Sequence, residues 1–317
     1  MYQLQKVKEV VVSVKHIQTW LQVFCDYGGW TLLERGAVHP SLLQQYHLSA
    51  NVSASQALIG FMDQDFGQIR FIEFHDVQQS LMRPAAKIWD TGGIADIDIR
   101  TADINSVYQE MTDMGWHAVY PPNPMPAPPF ILDELLMQGP DGVLLALIQR
   151  YHPPLVLPEN KQLASHIYLS AMTVQNMHRA IDFFVHQLGF TELDTLSLQF
   201  SANAPNNFGL PKNFSDKFSG VLTMFSPDGT RDTMLEAIHF SGLEGEDFST
   251  ACQPPNRGIL SYRIGVKGLF EYVQALQQKG VPFFAEPTEL HFGMLDRAYL
   301  HCMVISPEGA LVEFFEA

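Results

Sequence analysis

Apolar and polar positions alternate along short stretches of this chain, and the alternation is broken at intervals by runs of helical period. In the first half the alternation predicts strands over Val7–Val14, Gln56–Met62, Ile69–His75, Ala95–Thr101, Trp116–Tyr120, Leu132–Met137 and Val143–Gln149, with a less defined one at Thr31–Ala37. Helical period predicts helices over Gln18–Tyr27 and Asn105–Met114.

The pattern repeats. TWLQVFCDYGGW (Thr19–Trp30) and RAIDFFVHQLGF (Arg179–Phe190) each read as an amphipathic helix stopped by glycine. SVYQEMTDMGW (Ser106–Trp116) and EYVQALQQKGV (Glu271–Val281) form a second such pair. GPDGVLLALI (Gly139–Ile148) and SPEGALVEFF (Ser306–Phe315) each place a Pro-acidic-Gly turn before a final apolar strand. Between the copies, YHPPLVLPENKQ (Tyr151–Gln162) is proline-rich and aperiodic, as a linker is. These repeats predict an α+β chain of four βαβββ units in two similar halves, 1–152 and 163–317, joined by a linker at 153–162. Four short strands leave one sheet face bare unless two units pair, so curved mixed sheets around a cleft are expected, one cleft in each half.

Composition narrows the function. The 317 residues carry a formal net charge of −15 and no basic stripe, which argues against nucleic acid as a partner. Charged residues make up only 17%, against roughly 25% in an average soluble protein, leaving much surface to bury between halves or against a second copy, so a homodimer stays open. No run approaches the roughly 18 apolar residues of a membrane span. Cys25, Cys252 and Cys302 stand apart without a CxxC pair and read as buried small hydrophobes in a reducing, cytoplasmic setting. Phosphate-binding glycine loops and a Gly-x-Ser-x-Gly elbow are lacking. The run PPNPMPAPPF (Pro121–Phe130) suits a stiff connector, a lid over the first-half cleft, or a docking ridge.

The stretch HIYLSAMTVQNMHRAIDFFVHQLGF (His166–Phe190) and the ending ISPEGALVEFFE (Ile305–Glu316), with weaker copies in the first half, resemble the glyoxalase, bleomycin-resistance and extradiol-dioxygenase superfamily, also called vicinal oxygen chelate proteins. The resemblance implies glyoxalase-like domains, a small-molecule ligand and, in metal-using members, one ligand from each of four strands. Carried onto this chain, it points to Leu169, Ser261, Glu236 and Glu313 in the second half and to Glu9, Glu73, Asp96 and Ala146 in the first. Glu236 with Glu313 is then the pair to hold a divalent metal, if one is used, and no other cofactor is implied. None of the eight positions is histidine, so tight Fe(II) or Zn(II) binding and histidine-ligated dioxygenase chemistry are not expected.

Strand parity adds neighbours. Arg263 lies two residues beyond Ser261 and shares its face; His75 shares a face with Glu73. The working cleft is therefore expected in the second half, organised by Glu236, Glu313, Arg263 and Ser261, with Glu9, Glu73, His75 and Asp96 as the first-half alternative. Arg263 reads either as an anchor for an anionic ligand or as an ion-pair partner of the glutamates; as an anchor, it is replaceable by Met at little cost to the fold. Two functions follow from the resemblance: an enzyme, an isomerase, lyase or relative acting on a small oxygen-bearing substrate, or a non-catalytic binding protein of the resistance type.

Overall fold

The computed structural model describes residues 1–125, 127–204, 206–291 and 298–317. It contains the four expected units. The first has strands β1 (Gln3–Ser13), β2 (Thr31–Ala37), β3 (Ser53–Gly60) and β4 (Gln68–His75); the second has β5 (Asp96–Arg100), the short β6 (His117–Ala118) and β7 (Asn123–Pro124), β8 (Ile131–Gln138) and β9 (Leu144–His152). The third has β10 (Leu169–Thr173), β11 (Thr191–Gln199), β12 (Ser219–Ser226) and β13 (Met234–Ser241), and the fourth β14 (Gly258–Lys267), β15 (Phe283–His291), β16 (Ala298–Ile305) and β17 (Leu311–Glu316).

A helix follows the first strand of every unit. Helix α1 (Ile17–Leu21) runs on as a π-helical turn over Gln22–Tyr27; α2 (Pro40–Gln45) is an extra element of the first unit; α3 is Ile104–Asp113; α4 (Met177–Ile181) runs on as a π-helical turn over Asp182–Gln187; and α5 is Leu269–Gln278. The glycines that close the four long helices, Gly29, Gly115, Gly189 and Gly280, all have φ between 71° and 89°. No neighbour lies within 4 Å of a Cβ built at Gly115, Gly189 or Gly280, so it is the left-handed backbone and not crowding that selects glycine there. The last strand caps the helix behind it. Glu73 accepts from the Ile17 amide (2.9 Å), Gln149 from Ile104 (2.9 Å) and Glu316 from Leu269 (2.7 Å), each satisfying an amide that the helix itself leaves unpaired.

The sheets do not follow the halves of the chain. One sheet, ordered β15-β16-β17-β14-β1-β4-β3-β2, joins the first unit to the fourth; the other, ordered β11-β12-β13-β10-β5-β9-β8-β6 with β7 beside β8, joins the third to the second. The segment 153–162 thus separates two halves that each contribute one unit to each sheet. This corrects the expectation of one cleft in each half: alternation fixes a strand's face but not which distant strand completes the sheet. In the outer-unit sheet β1 pairs antiparallel with β14 from Gln3↔Lys267 to Ser13↔Gly258. In the middle-unit sheet β10 meets β5 at Leu169↔Asp98.

One core lies between the sheets, where the helices pack. It contains Trp20, Phe24 and Phe71 from the first unit, Trp116 from the second, Phe184 and Phe225 from the third, and Tyr272 and Phe314 from the fourth. Trp20 and Trp116 meet edge to face with ring centroids 5.5 Å apart. Tyr272 donates a hydrogen bond to the Leu188 carbonyl at 2.8 Å, tying α5 to the end of α4. The opposite, inner face of each sheet has its own apolar cluster, built around Val11, Ile72 and Leu311 in one and Ala146, Ala171 and Ile238 in the other. Cys252 and Cys302 are buried and all three cysteines are free. Among the described residues no helix is long and apolar enough to cross a membrane.

Candidate functional site

First and last strands of each unit run parallel, and their registers superimpose the four units. Ser13↔Ile72, Arg100↔Ile148, Thr173↔Ile238 and Gly265↔Phe315 are the matching pairs. Counting back from them gives Glu9, Asp96, Leu169 and Ser261 on the first strands, as the sequence indicates, but Arg70, Ala146, Glu236 and Glu313 on the last. Glu73 is therefore displaced from the inner position. It faces α1, capping Ile17 with His16 Nδ1 3.7 Å away, while His75 Nε2 pairs with the Ser55 hydroxyl at 2.9 Å. Neither contributes to an inner face. The first unit lacks the Pro-acidic-Gly turn from which the count starts in the second and fourth units, so its register was not readable from sequence.

The outer-unit sheet brings together Glu9, Arg70, Ser261, Arg263 and Glu313, all buried. Arg70 makes two hydrogen bonds to Glu9 (2.6 and 2.9 Å) and further ones to Gln56 (2.8 Å) and Glu34 (3.0 Å). Arg263 bridges Glu9 (2.9 Å) and Glu313 (3.0 Å). Glu313 also accepts from the Tyr46 hydroxyl at 2.9 Å and from the Ser261 hydroxyl, and lies 3.2 Å from His301 Nε2. Burial pushes the Glu9 carboxyl up, but the two guanidinium groups outweigh it and hold it at about 2. Glu313 is held well below the usual carboxylate range by the same balance, with Arg263 as the main opposing charge. Tyr46 comes from the end of α2, which packs Leu42 and Leu43 onto this inner face. A cleft of ≈ 790 Å³ opens over the network, yet its buried charges are matched to each other. Arg70 stands at one of the four counted positions and Arg263 beside them, and these two guanidinium groups supply the positive charge, which does not fit a metal ion.

In the middle-unit sheet the inner acids are not paired with bases. Its inner face forms a cup of ≈ 440 Å³, lined mostly by apolar side chains, with Asp96, Asp98, Glu134 and Glu236 among them. All four are buried, with at most 8% of their surface exposed, and none makes a salt bridge among the described residues. Asp96 Oδ1 accepts from the Ala171 amide at 2.9 Å. Glu134 Oε2 accepts from Asn207 Nδ2 at 2.7 Å, and Asn207 in turn accepts from Asn123, which pins the segment after β11 over the cup. Asp98 Oδ2 has no hydrogen-bond partner among the described residues.

Burial without a counter-charge raises every one of these carboxyls. Asp96 is pushed up to about 6, held from going higher by the Ala171 amide and by Arg83. Glu134 is pushed up to about 7 by burial against the pull of Asn207, with Asp96 adding repulsion. Asp98 and Glu236 rise well above the carboxylate range, first by burial and then by the neighbouring acids. After burial, repulsion from Asp96 is the largest contribution to the rise of Asp98.

Glu236 and Glu313 thus sit in different sheets, and the expectation that they face one ligand with Arg263 and Ser261 is corrected; the expected cleft is divided between two. Glu236 is joined instead by Asp96, from the first-half alternative. Leu169 and Ala146 fill the other two positions around it, and among the described residues no group of three or more His, Cys, Asp or Glu side chains is placed to hold a metal ion. Two of the four positions, Leu169 and Ala146, offer no donor atom, and this donor set does not fit a metal. Asp98 and Glu134 were missed by the sequence reading, although parity carries a signal for both: Asp98 lies two residues beyond Asp96, and Glu134 shares a face with the inner residue Leu136. The proline-rich run reaches this cup, where Met125, Ala127, Pro128, Pro129 and Phe130 line it; Pro126 lies outside the described residues.

Residues 165–314 match the family model "Glyoxalase/Bleomycin resistance protein/Dioxygenase superfamily". No curated protein matches the sequence. Among solved structures, glyoxalase I from Zea mays is similar over 99% of this chain and 93% of its own, with a TM-score of 0.63 and 15% identity. A point variant of that enzyme gives 0.65 at 16% identity over the same shares. A Bacillus subtilis protein named provisionally as a dioxygenase gives 0.57 at 8% identity, over 99% of this chain and 86% of its own. At these identities the likeness is one of fold.

Proposed function

The chain belongs to the glyoxalase, bleomycin-resistance and dioxygenase superfamily, through residues 165–314 and the fold of its full length, and from that premise we propose an enzyme of the isomerase or lyase kind that moves protons in the middle-unit cup. The observation that carries this reading is the set of four buried carboxyls without a cationic partner, two of them, Asp96 and Glu134, set at about 6 and about 7. A carboxyl poised near neutrality serves as general acid or base at little free-energy cost in either direction. Asp98 and Glu236, kept neutral by burial, donate hydrogen bonds to an oxygen on which charge develops, and the apolar walls exclude water that would screen them. The substrate class this suits is a small carbonyl or hydroxy-carbonyl compound with an acidic C–H. The outer-unit cleft, its charges matched internally, is read as structural. Three unpaired cysteines suit a reducing, cytoplasmic setting.

Deuterium exchange tests the reading. Wild-type protein incubated in deuterated buffer with a panel of α-hydroxyketones, α-diketones and 2-keto acids should speed loss of the α-proton signal in the NMR spectrum of at least one, and Glu134→Gln should slow that exchange by about 100-fold, the usual size of a general-base contribution. Tight binding of a panel member with no exchange would instead favour the sequestering protein.

A further inference from the structure

We propose that the middle-unit cup takes an organic anion, whose charged group is held at the mouth by Arg100 and Arg150. This deepens the proposed function and rests on it for the location of the site. Arg100 ends β5 and is two residues beyond Asp98, on the same face; Arg150 lies on the neighbouring parallel strand β9, two residues beyond Ile148, which pairs with Arg100. Both line the cup. Their guanidinium groups rest on aromatic rings, Arg100 4.1 Å above the Tyr168 centroid and Arg150 5.1 Å above that of Phe130. Neither forms a salt bridge among the described residues, and the buried Arg150 Nε has no hydrogen-bond partner there. The third arginine of the lining, Arg231, is already paired with Asp194 (2.5 Å).

Two like charges side by side repel: partial burial, and after it the proximity of Arg100, lowers the affinity of Arg150 for its proton. A carboxylate, sulfonate or phosphate between them would relieve that repulsion and satisfy the idle donor, in the two-pronged geometry that guanidinium groups favour. One strand step of two residues spans about 6.8 Å, so a ligand anchored at Arg100 would reach Asp98 with an oxygen carried further in on its apolar body. A cationic amine fits the acids inside but must pass the two arginines to reach them.

A matched pair of fluorescent probes separates these ligands: 8-anilinonaphthalene-1-sulfonate and N-phenyl-1-naphthylamine share an aromatic body and differ by the sulfonate. The sulfonate should bind wild-type protein at least about tenfold more tightly, and Arg100→Gln and Arg150→Gln should each remove most of that preference. Ala171→Trp, which fills the cup, should abolish sulfonate binding, with circular dichroism confirming that all three variants fold. Equal affinity for the two probes, a sulfonate affinity untouched by the arginine variants, or sulfonate binding that survives Ala171→Trp would overturn the anion clamp. Deuterium exchange on an uncharged diketone is independent of it: exchange retained alongside any of those results would sink the clamp and leave the proton-transfer reading standing.

Discussion

Glu9 and Arg263, 254 residues apart in the chain, form a fully buried ion pair at 2.9 Å across the β1–β14 junction. That pair closes the outer-unit sheet. It joins the first strand of the protein to its last unit, and around it the family's ligand positions have become a packed ionic network.

Arg263→Met is accordingly expected to be costly. Methionine would fill the volume but leave Glu313 and part of Glu9 buried without a counter-charge, a loss of the order of 3–5 kcal/mol for a broken buried pair. This reverses the expectation from sequence that the exchange would spare the fold. Urea unfolding checks it, and a change below about 1 kcal/mol would return Arg263 to the list of ligand anchors.

Because each sheet draws on both halves, a chain cut within 153–162 should yield fragments that do not fold singly. Each would expose the strand edges β1 and β5, or β10 and β14, that the other half covers. Coexpressed fragments should copurify in a 1:1 ratio with the circular dichroism of the intact chain. A cooperatively folded, monomeric 1–152 fragment would contradict the topology.

The two inner faces respond to pH in opposite senses. Glu134 is raised from 4.5 to about 7, so the folded state holds its proton more tightly than the unfolded state; that stability is fully present below pH 4.5 and lost as pH rises through 7. Glu134→Gln, which mimics the neutral acid and still accepts from Asn207, should match wild type near pH 4 and exceed it by about 2–3 kcal/mol at pH 8. Glu9 is lowered from 4.5 to about 2, so its contribution is present above pH 4.5 and lost as pH falls through 2. Denaturant unfolding at the two pH values measures the difference for Glu134→Gln; an equal effect at both would mean that folding does not shift the Glu134 carboxyl.

How much of this was legible in the sequence depended on the range of the interaction. Helix ends were readable because a left-handed glycine leaves a local mark, and the strand from Thr31 to Ala37 emerges with the expected bounds. Helix α2 also has a local signal, His39 followed by Pro40 at its first turn, with the His39 ring accepting from the Ser41 amide, but its six residues span too little of a helical period to stand out. The pairing of β1 with β14 left no local trace at all. Once units pair across halves, Glu236 parts from Glu313 and meets Asp96, and the acidic cup appears only when Asp98 and Glu134 are added from strands whose neighbours are set by tertiary contact.

Proton transfer in the cup requires middle-unit acids that are neutral and poised. Carboxyl carbons of protein labelled with ¹³C at the Asp and Glu side chains can be followed by NMR from pH 3 to 9, with Asp98→Asn, Glu134→Gln and Glu236→Gln to assign them. Glu134 should titrate near 7, and Asp98 and Glu236 should remain protonated at pH values where exposed carboxyls are fully ionised. Titration of all three below pH 5 would show a solvated, ordinary acidic patch and remove the basis for proton transfer in the cup.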